Sequence, residues 1–234
     1  MTHSQEVRAA LKDLLPVAIA VAPFGAVFAA LATERGLSFW EVMFASATIF
    51  AGASQYAMLD LMGQQVAPWA IIVAIFAINF RHVLYSASVG RHMGLFSPFR
   101  KYFGFFFLMD PLFAASEARA RTRQLTPAYF FTYGLTLYAN WLIVNALGAR
   151  FGKLIEDPAA FGLDVILPVY FTGLVMAFWK SENFSIVLFA SVSVSLVTWW
   201  WLGTPWNITL GGFAGLIAAA ALSKPDRGSR FGEG

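Results

Sequence analysis

Long apolar stretches separated by short polar loops make up most of this chain. Eight can be distinguished, at residues 14–32, 40–62, 66–85, 102–115, 128–149, 165–179, 184–202 and 208–222. Several approach the roughly 20 residues that a helix needs to cross the hydrocarbon of a bilayer. The pattern predicts an all-α fold, a polytopic transmembrane helical bundle with about 7–8 hydrophobic segments. We expect one integral membrane domain over residues 1–234, with short tails at 1–13 and 223–234.

The fourth segment, residues 102–115, is too short for a plain span and carries Asp110-Pro111 in its middle. Because proline interrupts a helix, we expect a broken or re-entrant segment here. Loops on the cytoplasmic side of a membrane are rich in Lys and Arg. If this segment enters and leaves on the cytoplasmic side and the N-terminus is outside, eleven basic loop residues fall inside and four outside (Arg8, Lys12, Arg150 and Lys153). If every segment crosses and the N-terminus is inside, nine fall inside and six outside. The re-entrant topology therefore agrees better with the sequence.

A faint internal repeat agrees with that topology. Residues 32–36 and 49–52 resemble residues 148–152 and 170–173, since in each half a Gly-bearing loop precedes a segment with Phe-x-Gly. The two copies would start on opposite sides of the membrane, as inverted repeats of transporters do. The match consists of small and aromatic residues that are common in any membrane helix, so coincidence is the alternative interpretation.

Composition excludes several classes of protein. The chain is 59% hydrophobic and 12% charged, whereas soluble domains are about 25% charged, so much of its surface must face lipid. The absence of Cys excludes disulfides and Cys-based metal or haem sites. Basic residues lie in loops between apolar segments, which favours orientation signals over nucleic-acid binding. No nucleophile–base pair, paired carboxylates or phosphate-binding Gly loop is found, so we expect no enzyme.

A short polar motif, Phe50-Ala51-Gly52-Ala53-Ser54-Gln55, interrupts the second apolar segment. Small residues allow helices to pack closely, which is one interpretation. The amide of Gln55, however, needs hydrogen-bond partners in hydrocarbon. A helix broken here would turn free N–H groups and the positive end of its dipole toward a substrate carboxylate. The second interpretation is therefore a substrate site that includes Gly52, Ser54 and Gln55.

A second motif, Asn79-Phe80-Arg81-His82, lies near the end of the third segment. Arg at membrane depth costs at least about 2.5–3.5 kcal/mol, so it normally has a function or a partner. Arg81 could extend to the interface, but Asn79 indicates a deeper polar cluster, and we assign both residues to the substrate site. His82 is a candidate proton carrier, although a lone His is more often a hydrogen-bonded spacer.

Asp110 is the one acidic residue deep within the fourth segment. A buried carboxylate near an Arg is typical of a proton relay. A purely structural ion pair with Arg81 is the equal alternative. On the first of these two interpretations, we predict proton coupling through Asp110 and His82. No second His, Asp or Glu stands at ligand spacing, so neither a metal site nor a cofactor is expected.

Both motifs resemble the signature blocks of the AzlC family, as does Gly162-Leu163-Asp164 before the sixth segment. The resemblance runs from about Leu15 to Ala221. It implies a multi-pass protein of the bacterial inner membrane, the large subunit of a branched-chain amino acid exporter. It further implies a separate small multi-span partner of the AzlD type, and export of valine, leucine, isoleucine or, in some members, methionine, driven by protons.

Two points limit what the resemblance implies. The family carries an Asp-Glu pair in the fourth segment where this chain has Asp110-Pro111, so its energetics or substrate can differ. The rival class is a channel or a non-transporting membrane partner subunit. A channel should show rings of charge or a wide polar helix face, whereas this sequence has isolated polar motifs.

The last segment carries Gly211-x-x-x-Gly215, a spacing that lets two helices approach closely. This face is a candidate contact for the small partner. Packing against another helix of the same chain is the alternative.

Overall fold

The computed structural model describes residues 2–63, 67–151, 179–203 and 206–222, together with 169, 172, 173, 175 and 176. No strand occurs in this part of the chain, which confirms the all-α prediction for it. The helices named below are α1 (His3–Glu34), α2 (Phe39–Thr48), α3 (Gly52–Gly63), α4 (Pro68–Asn79), α5 (Arg81–Gly90), α6 (Pro98–Phe107), α7 (Asp110–Ala120), α8 (Pro127–Phe151), α9 (Phe184–Leu202) and α10 (Trp206–Leu222).

Three stretches among the described residues are long and apolar enough to cross a membrane: α1, the combined α4–α5 stretch and α9. The predicted number of 7–8 segments is not confirmed, since most of the sixth lies outside the described residues. The chain divides into two compact units, Met1–Tyr170 and Phe171–Gly234.

Helix α1 begins with a capping box, in which Thr2 and Gln5 each bond the other's backbone N–H. The first turns of α1 therefore include most of the residues predicted as an N-terminal tail. Ala10 and Leu14 are buried on the face that enters the core. The helix continues through Pro16 and Pro23 to Glu34.

Helices α1 and α8 lie side by side and run in the same direction. Thr126 contacts Glu6, Asn140 contacts Ala18, and Gly148 lies against Ala26. A Cβ at Gly148 would lie 2.2 Å from the Ala26 carbonyl oxygen, so only glycine permits this approach. We name the two ends of this pair the Glu6 end and the Arg35 end.

The second apolar segment folds back on itself. Helix α2 starts after Ser38 at the Arg35 end, and the chain leaves the helical conformation at residues 49–51. Helix α3 then returns to the Arg35 end. Two contacts show this: the Arg35 guanidinium donates to the Leu59 carbonyl oxygen, and Gly63 lies beside Arg35. Residues 40–62, which are long enough for a single crossing, therefore form a helical hairpin instead. Each helix is about 15–18 Å long, about half the hydrocarbon thickness.

Helices α4 and α5 continue in one direction from the Arg35 end. Asn79, at the end of α4, bonds Ser54 in the first turn of α3. Further along, Ser88 of α5 bonds Glu117 of α7, and Gly90 lies near Phe105 of α6. This stretch of 23 residues therefore extends toward the Glu6 end.

The fourth segment forms a second helical hairpin, as expected for a broken segment, but its ends lie beside the start of α1, so the predicted placement of Arg8 and Lys12 on the opposite side does not hold. Gly104 of α6 lies against Phe130, near the start of α8, and Phe107 reaches Gly134. The chain leaves the helix at residues 108–109, and α7 returns until Arg119 pairs with Glu6. This hairpin therefore enters and leaves at the Glu6 end. The helical conformation of this hairpin is interrupted just before Asp110-Pro111, and Pro111 lies in the first turn of α7.

In the second unit, α9 and α10 form an antiparallel pair. Gly211 lies against Ser195 and Gly215 against Ser191, while the Asn183 side chain donates to the Leu222 carbonyl oxygen at 3.4 Å. The Gly211–Gly215 face is therefore used within this chain, in agreement with the internal alternative.

Two sequence observations fall on residues outside the described part. Residues 152 and 170–171 of the proposed repeat are among them. The described parts of its two Gly-bearing loops, residues 32–36 and 148–151, lie at the same end of the α1–α8 pair, so the predicted start on opposite sides is not confirmed. Gly162-Leu163-Asp164 also lies outside the described residues.

Candidate functional site

The interruptions of both hairpins pack against one residue of α8. The Tyr138 ring lies 5.0 Å from the ring of Phe50, at the α2–α3 interruption. It also lies 5.6 Å from the ring of Phe107, where α6 ends. The Tyr138 hydroxyl donates to the carbonyl oxygen of Ala47 at 2.9 Å. Tyr138 therefore joins hairpins that enter from opposite ends of the α1–α8 pair.

Polar side chains connect the first of these interruptions to the junction between α4 and α5. The Ser54 hydroxyl, fully buried in the first turn of α3, donates to Asn79 Oδ1 at 2.6 Å. The main-chain oxygen of Asn79 lies 3.0 Å from His82 Nδ1. The structure thus brings together three of the predicted site residues, Ser54, Asn79 and His82. Gly52 lies half a turn before Ser54, against Phe24.

The predicted ion pair between Arg81 and Asp110 is present. Arg81 Nη1 lies 3.0 Å from Asp110 Oδ1, and the two side chains are only 23% and 10% exposed. The Tyr85 hydroxyl donates to the same carboxylate oxygen at 2.8 Å. Asp110 is the first residue of α7, where the positive end of the helix dipole stabilises a carboxylate. Three interactions therefore fix the position of the Asp110 carboxylate.

The Arg81 guanidinium is only partly engaged. Its Nε and Nη2 atoms are buried and have no hydrogen-bond partner among the described residues. Tyr85, which helps to hold the pair, stacks on Phe113 with ring centroids 4.2 Å apart. An aromatic stack therefore supports the ion pair on one side, while Arg81 Nε and Nη2 have no partner among the described residues.

Gln55 belongs to a separate, fully buried network. Its amide nitrogen donates to Ser46 Oγ at 3.2 Å, and that hydroxyl donates to Asn145 Oδ1 at 3.0 Å. Asn145 in turn donates to the Trp141 carbonyl oxygen at 2.7 Å. This network joins α2, α3 and α8. The structure therefore does not group the Gln55 side chain with Asn79 and Arg81, and a binding role for Gln55 stays a prediction.

The two Asn residues of α8 bond different helices. Asn140 donates to the Ala18 carbonyl oxygen of α1 at 3.3 Å, whereas Asn145 accepts from Ser46 of α2.

Sequence reasoning did not assign roles to several residues that hold the site together. Tyr85 stands one turn after Arg81, so its position gave a usable signal. Tyr138 and Ser46 gave none, because single aromatic or small residues are common in any apolar helix. Their partners are distant in sequence, and only the folded chain brings them together.

A second group of charges holds the far end of α7. Arg119 pairs with Glu6 and lies over the Tyr129 ring, 4.1 Å from its centroid. Glu117 lies 3.6 Å from Arg91 and from His92. Helix α7 therefore carries ionic contacts at both ends, with Asp110 at its start and this cluster in its last turns.

The described residues contain no group of three or more His, Cys, Asp or Glu side chains arranged to hold a metal ion. A cavity of about 500 Å³ opens at the Arg35 end. It is lined by Arg35, Leu37, Leu59, Asp60, Met62 and Gly63. None of the residues of the Arg81–Asp110 region lines it.

Comparison with known proteins places the sequence of this chain in a family. Residues 16–155 match the family described as AzlC protein. An "Uncharacterized membrane protein" of Archaeoglobus fulgidus is 35% identical over 155 residues, which cover 65% of this chain and 66% of that protein. "Inner membrane protein YgaZ" of Escherichia coli is 27% identical over 178 residues, covering 74% and 73% of the two chains. No solved structure matches.

Proposed function

Because this chain belongs to the AzlC family of membrane proteins, we propose that it is a secondary active transporter that exports branched-chain amino acids across the bacterial inner membrane. Valine, leucine and isoleucine are the proposed substrates, with methionine as a further candidate. The observation that carries the proposal is the Arg81–Asp110 ion pair, which lies where interrupted helices meet. Charged pairs at membrane depth are costly and mark substrate or ion pathways.

The proposed substrate site lies between the first turn of α3 and the start of α5. Interrupted helices of transporters turn the N-terminal ends of half-helices toward anionic substrate groups. Gly52 and Ser54 supply such an end, and Asn79 and Arg81 add polar side chains beside it. Gln55 supports this arrangement through Ser46. Phe50 and the other aromatic residues near the two interruptions suit an aliphatic substrate side chain.

Proton coupling is proposed at Asp110, with His82 as an auxiliary group. Protonation of Asp110 would remove the negative charge that faces Arg81 Nη1 at 3.0 Å. Arg81 would then lose its partner, and its interaction with a substrate would change with the protonation state. His82 lies next to Arg81 and contacts Asn79, so it connects the proton site with the substrate site. Proton influx would drive amino-acid export.

A small multi-span membrane subunit of the AzlD type is the proposed partner. The family resemblance supports it. Expression of this chain alone should give little export, and co-expression with the partner should restore resistance to an excess of branched-chain amino acids. Full export by the purified chain alone in liposomes would contradict the requirement for a partner.

Counterflow in proteoliposomes tests the central proposal. Liposomes that contain this chain and its partner are loaded with unlabelled leucine and diluted into a trace of labelled leucine. A carrier should accumulate label transiently and saturably, and excess valine or isoleucine should compete. A protonophore should abolish uphill export but leave counterflow intact.

Two outcomes would change the assignment. Label that equilibrates without saturation or overshoot would support the rival channel function. Absence of counterflow for every branched-chain amino acid, with and without the partner, would remove these substrates from consideration. Liposomes without protein and liposomes with the partner alone are the controls.

A further inference from the structure

One edge of the Arg81 guanidinium is buried and unsatisfied within the described residues. Nη1 is engaged by Asp110, whereas Nε and Nη2 lack hydrogen-bond partners. Nε and Nη2 lie on the same edge of this planar group, so their N–H bonds point in nearly the same direction. Buried donors are nearly always satisfied in proteins, and leaving them unsatisfied is costly. A ligand with two acceptor atoms would satisfy both of these parallel donors.

The geometry of this edge matches one ligand group. Two parallel N–H donors fit the two oxygens of a carboxylate in a bidentate arrangement. Asp110 and Tyr85 hold the remainder of the side chain, so the free edge is already oriented before a ligand binds. A dianionic phosphate fits less well, because the adjacent Asp110 carboxylate would repel its second charge.

Acceptors for a substrate ammonium group are less available in the same network. Asp110 Oδ1 already accepts from Arg81 and Tyr85. Asn79 Oδ1 accepts from Ser54, and the Asn79 main-chain oxygen contacts His82. Of the Asp110 carboxylate, only Oδ2 takes no part in these contacts, whereas Arg81 Nε and Nη2 are both buried donors without a partner among the described residues, and these two donors favour an anion.

We infer that the Nε–Nη2 edge of Arg81 binds the carboxylate of the transported solute, and that this carboxylate contributes more to recognition than the ammonium group. The inference rests on the proposed function and narrows its substrate class. Branched aliphatic monocarboxylates occupy the site even when they lack an amine, whereas the corresponding amines do not. The closely packed aromatic residues near the hairpin interruptions receive the branched tail.

Two analogues of leucine separate its charged groups. 4-Methylpentanoate keeps the carboxylate and lacks the amine, and 3-methylbutan-1-amine keeps the amine and lacks the carboxylate. Each is used to displace labelled leucine from the full chain, reconstituted with its partner. The acid should compete within about tenfold of leucine itself, and the amine should be at least about a hundredfold weaker, as expected for loss of charge-assisted hydrogen bonds.

Direct binding of labelled 4-methylpentanoate separates failure of this inference from failure of the proposed function. If the amine displaces leucine as well as the acid does, the inference is overturned and the proposed function stands. If the acid binds and leucine does not, the inference stands and the amino-acid assignment is wrong. If neither the acid nor leucine binds, both are overturned.

An Arg81→Lys variant tests the residue itself. Lys keeps the charge that faces Asp110 but lacks the two parallel donors, so affinity for 4-methylpentanoate should fall at least about tenfold. Arg91→Lys is the matched control, since Arg91 is the C-cap residue of the same helix and its Nη2 lies 3.6 Å from Glu117 Oε2. Wild-type affinity for the acid in a folded Arg81→Lys protein would overturn the assignment. If that variant does not fold, the analogue competition with the wild-type chain decides.

Discussion

At the residue scale, Arg81 and Asp110 depend on each other more than any other predicted pair. Each is mostly buried, and they share the contact at 3.0 Å. A charge in a membrane without its partner is far more costly than a neutral side chain of the same shape. Loss of either residue should therefore affect the protein through the charge left behind as well as through the missing contact.

Single and double neutralisation test this dependence. Asp110→Asn or Arg81→Gln alone should reduce folded yield severely, since removing one member of a buried pair typically costs about 3–5 kcal/mol. The double variant should recover part of the yield because neither charge remains. Fluorescence-detected size-exclusion chromatography of the solubilised chain measures it. An Asp110→Asn protein with wild-type yield and transport would show that the pair is dispensable.

A second residue-scale prediction distinguishes a structural role of Gln55, through Ser46, from direct contact with the substrate. Gln55→Ala removes the donor to Ser46 and should lower stability by about 0.5–1.5 kcal/mol, as for side-chain hydrogen bonds between membrane helices. Leucine affinity should change much less than in Arg81→Lys. Thermal unfolding and leucine binding are measured on the same preparation. Unchanged stability with lost leucine binding would indicate instead that Gln55 contacts the substrate directly.

At the element scale, two interrupted helical hairpins give the centre of the first unit its polar character. The interruption at residues 49–51 precedes the N-terminus of α3, and the interruption at 108–109 precedes that of α7. Broken helices are tolerated at membrane depth where neighbouring protein satisfies their backbone. Here the Tyr138 hydroxyl bonds the Ala47 carbonyl oxygen, one of the acceptors left at the end of α2.

Cysteine labelling tests the direction of both hairpins, and the chain has no native Cys to interfere. We expect the Glu34→Cys and Met62→Cys variants, which flank the α2–α3 hairpin, to react with an impermeant maleimide from the same side. The Gly94→Cys and Gln124→Cys variants, which flank the α6–α7 hairpin, should react from the opposite side. All four positions are exposed.

Intact and permeabilised vesicles supply the comparison for each labelled position. Reaction of the Glu34→Cys variant from one side and of the Met62→Cys variant from the other would mean that residues 40–62 cross the membrane. In that case the folded-back arrangement of α2 and α3 would be wrong. The Gly94→Cys and Gln124→Cys variants test the α6–α7 hairpin independently of this result.

At the scale of the whole molecule, the question is whether the Gly211–Gly215 face of α10 packs within the second unit or binds a partner. A Cβ at Gly211 would lie 2.8 Å from the Ser195 Cβ and 3.0 Å from the Ser191 carbonyl oxygen. The neighbouring Gly212 has open space at the same position. The two glycines therefore form a matched pair for substitution.

Gly211→Val should destabilise the chain when it is expressed alone, by about 1–3 kcal/mol, because the added side chain overpacks the α9–α10 contact. Gly212→Val should leave stability nearly unchanged. Thermal unfolding of each purified chain, without any partner, makes the comparison. If Gly211→Val is as stable as wild type and fails only to bind the small subunit, the face belongs to the partner.

The sequence by itself determined the helical class, two polar regions and one ion pair. Apolar segments near membrane length leave few alternatives to helices, since a backbone in lipid must satisfy its own hydrogen bonds. Pro111 acts on the adjacent turns of the chain, so the interruption before α7 was predictable from local chemistry. Arg81 and Asp110 could be paired because few other deep charges were available to balance either one.

Only the tertiary structure decided where the chain goes after an interruption and which side chains then meet. Hydropathy is a local property and is the same for a helix that crosses and for two helices that fold back. The return of α3 depends on its contacts with Arg35, and the place of Gln55 depends on Ser46 and Asn145. Such contacts join residues far apart in sequence, and their geometry follows from the packing of whole helices, which no local pattern specifies.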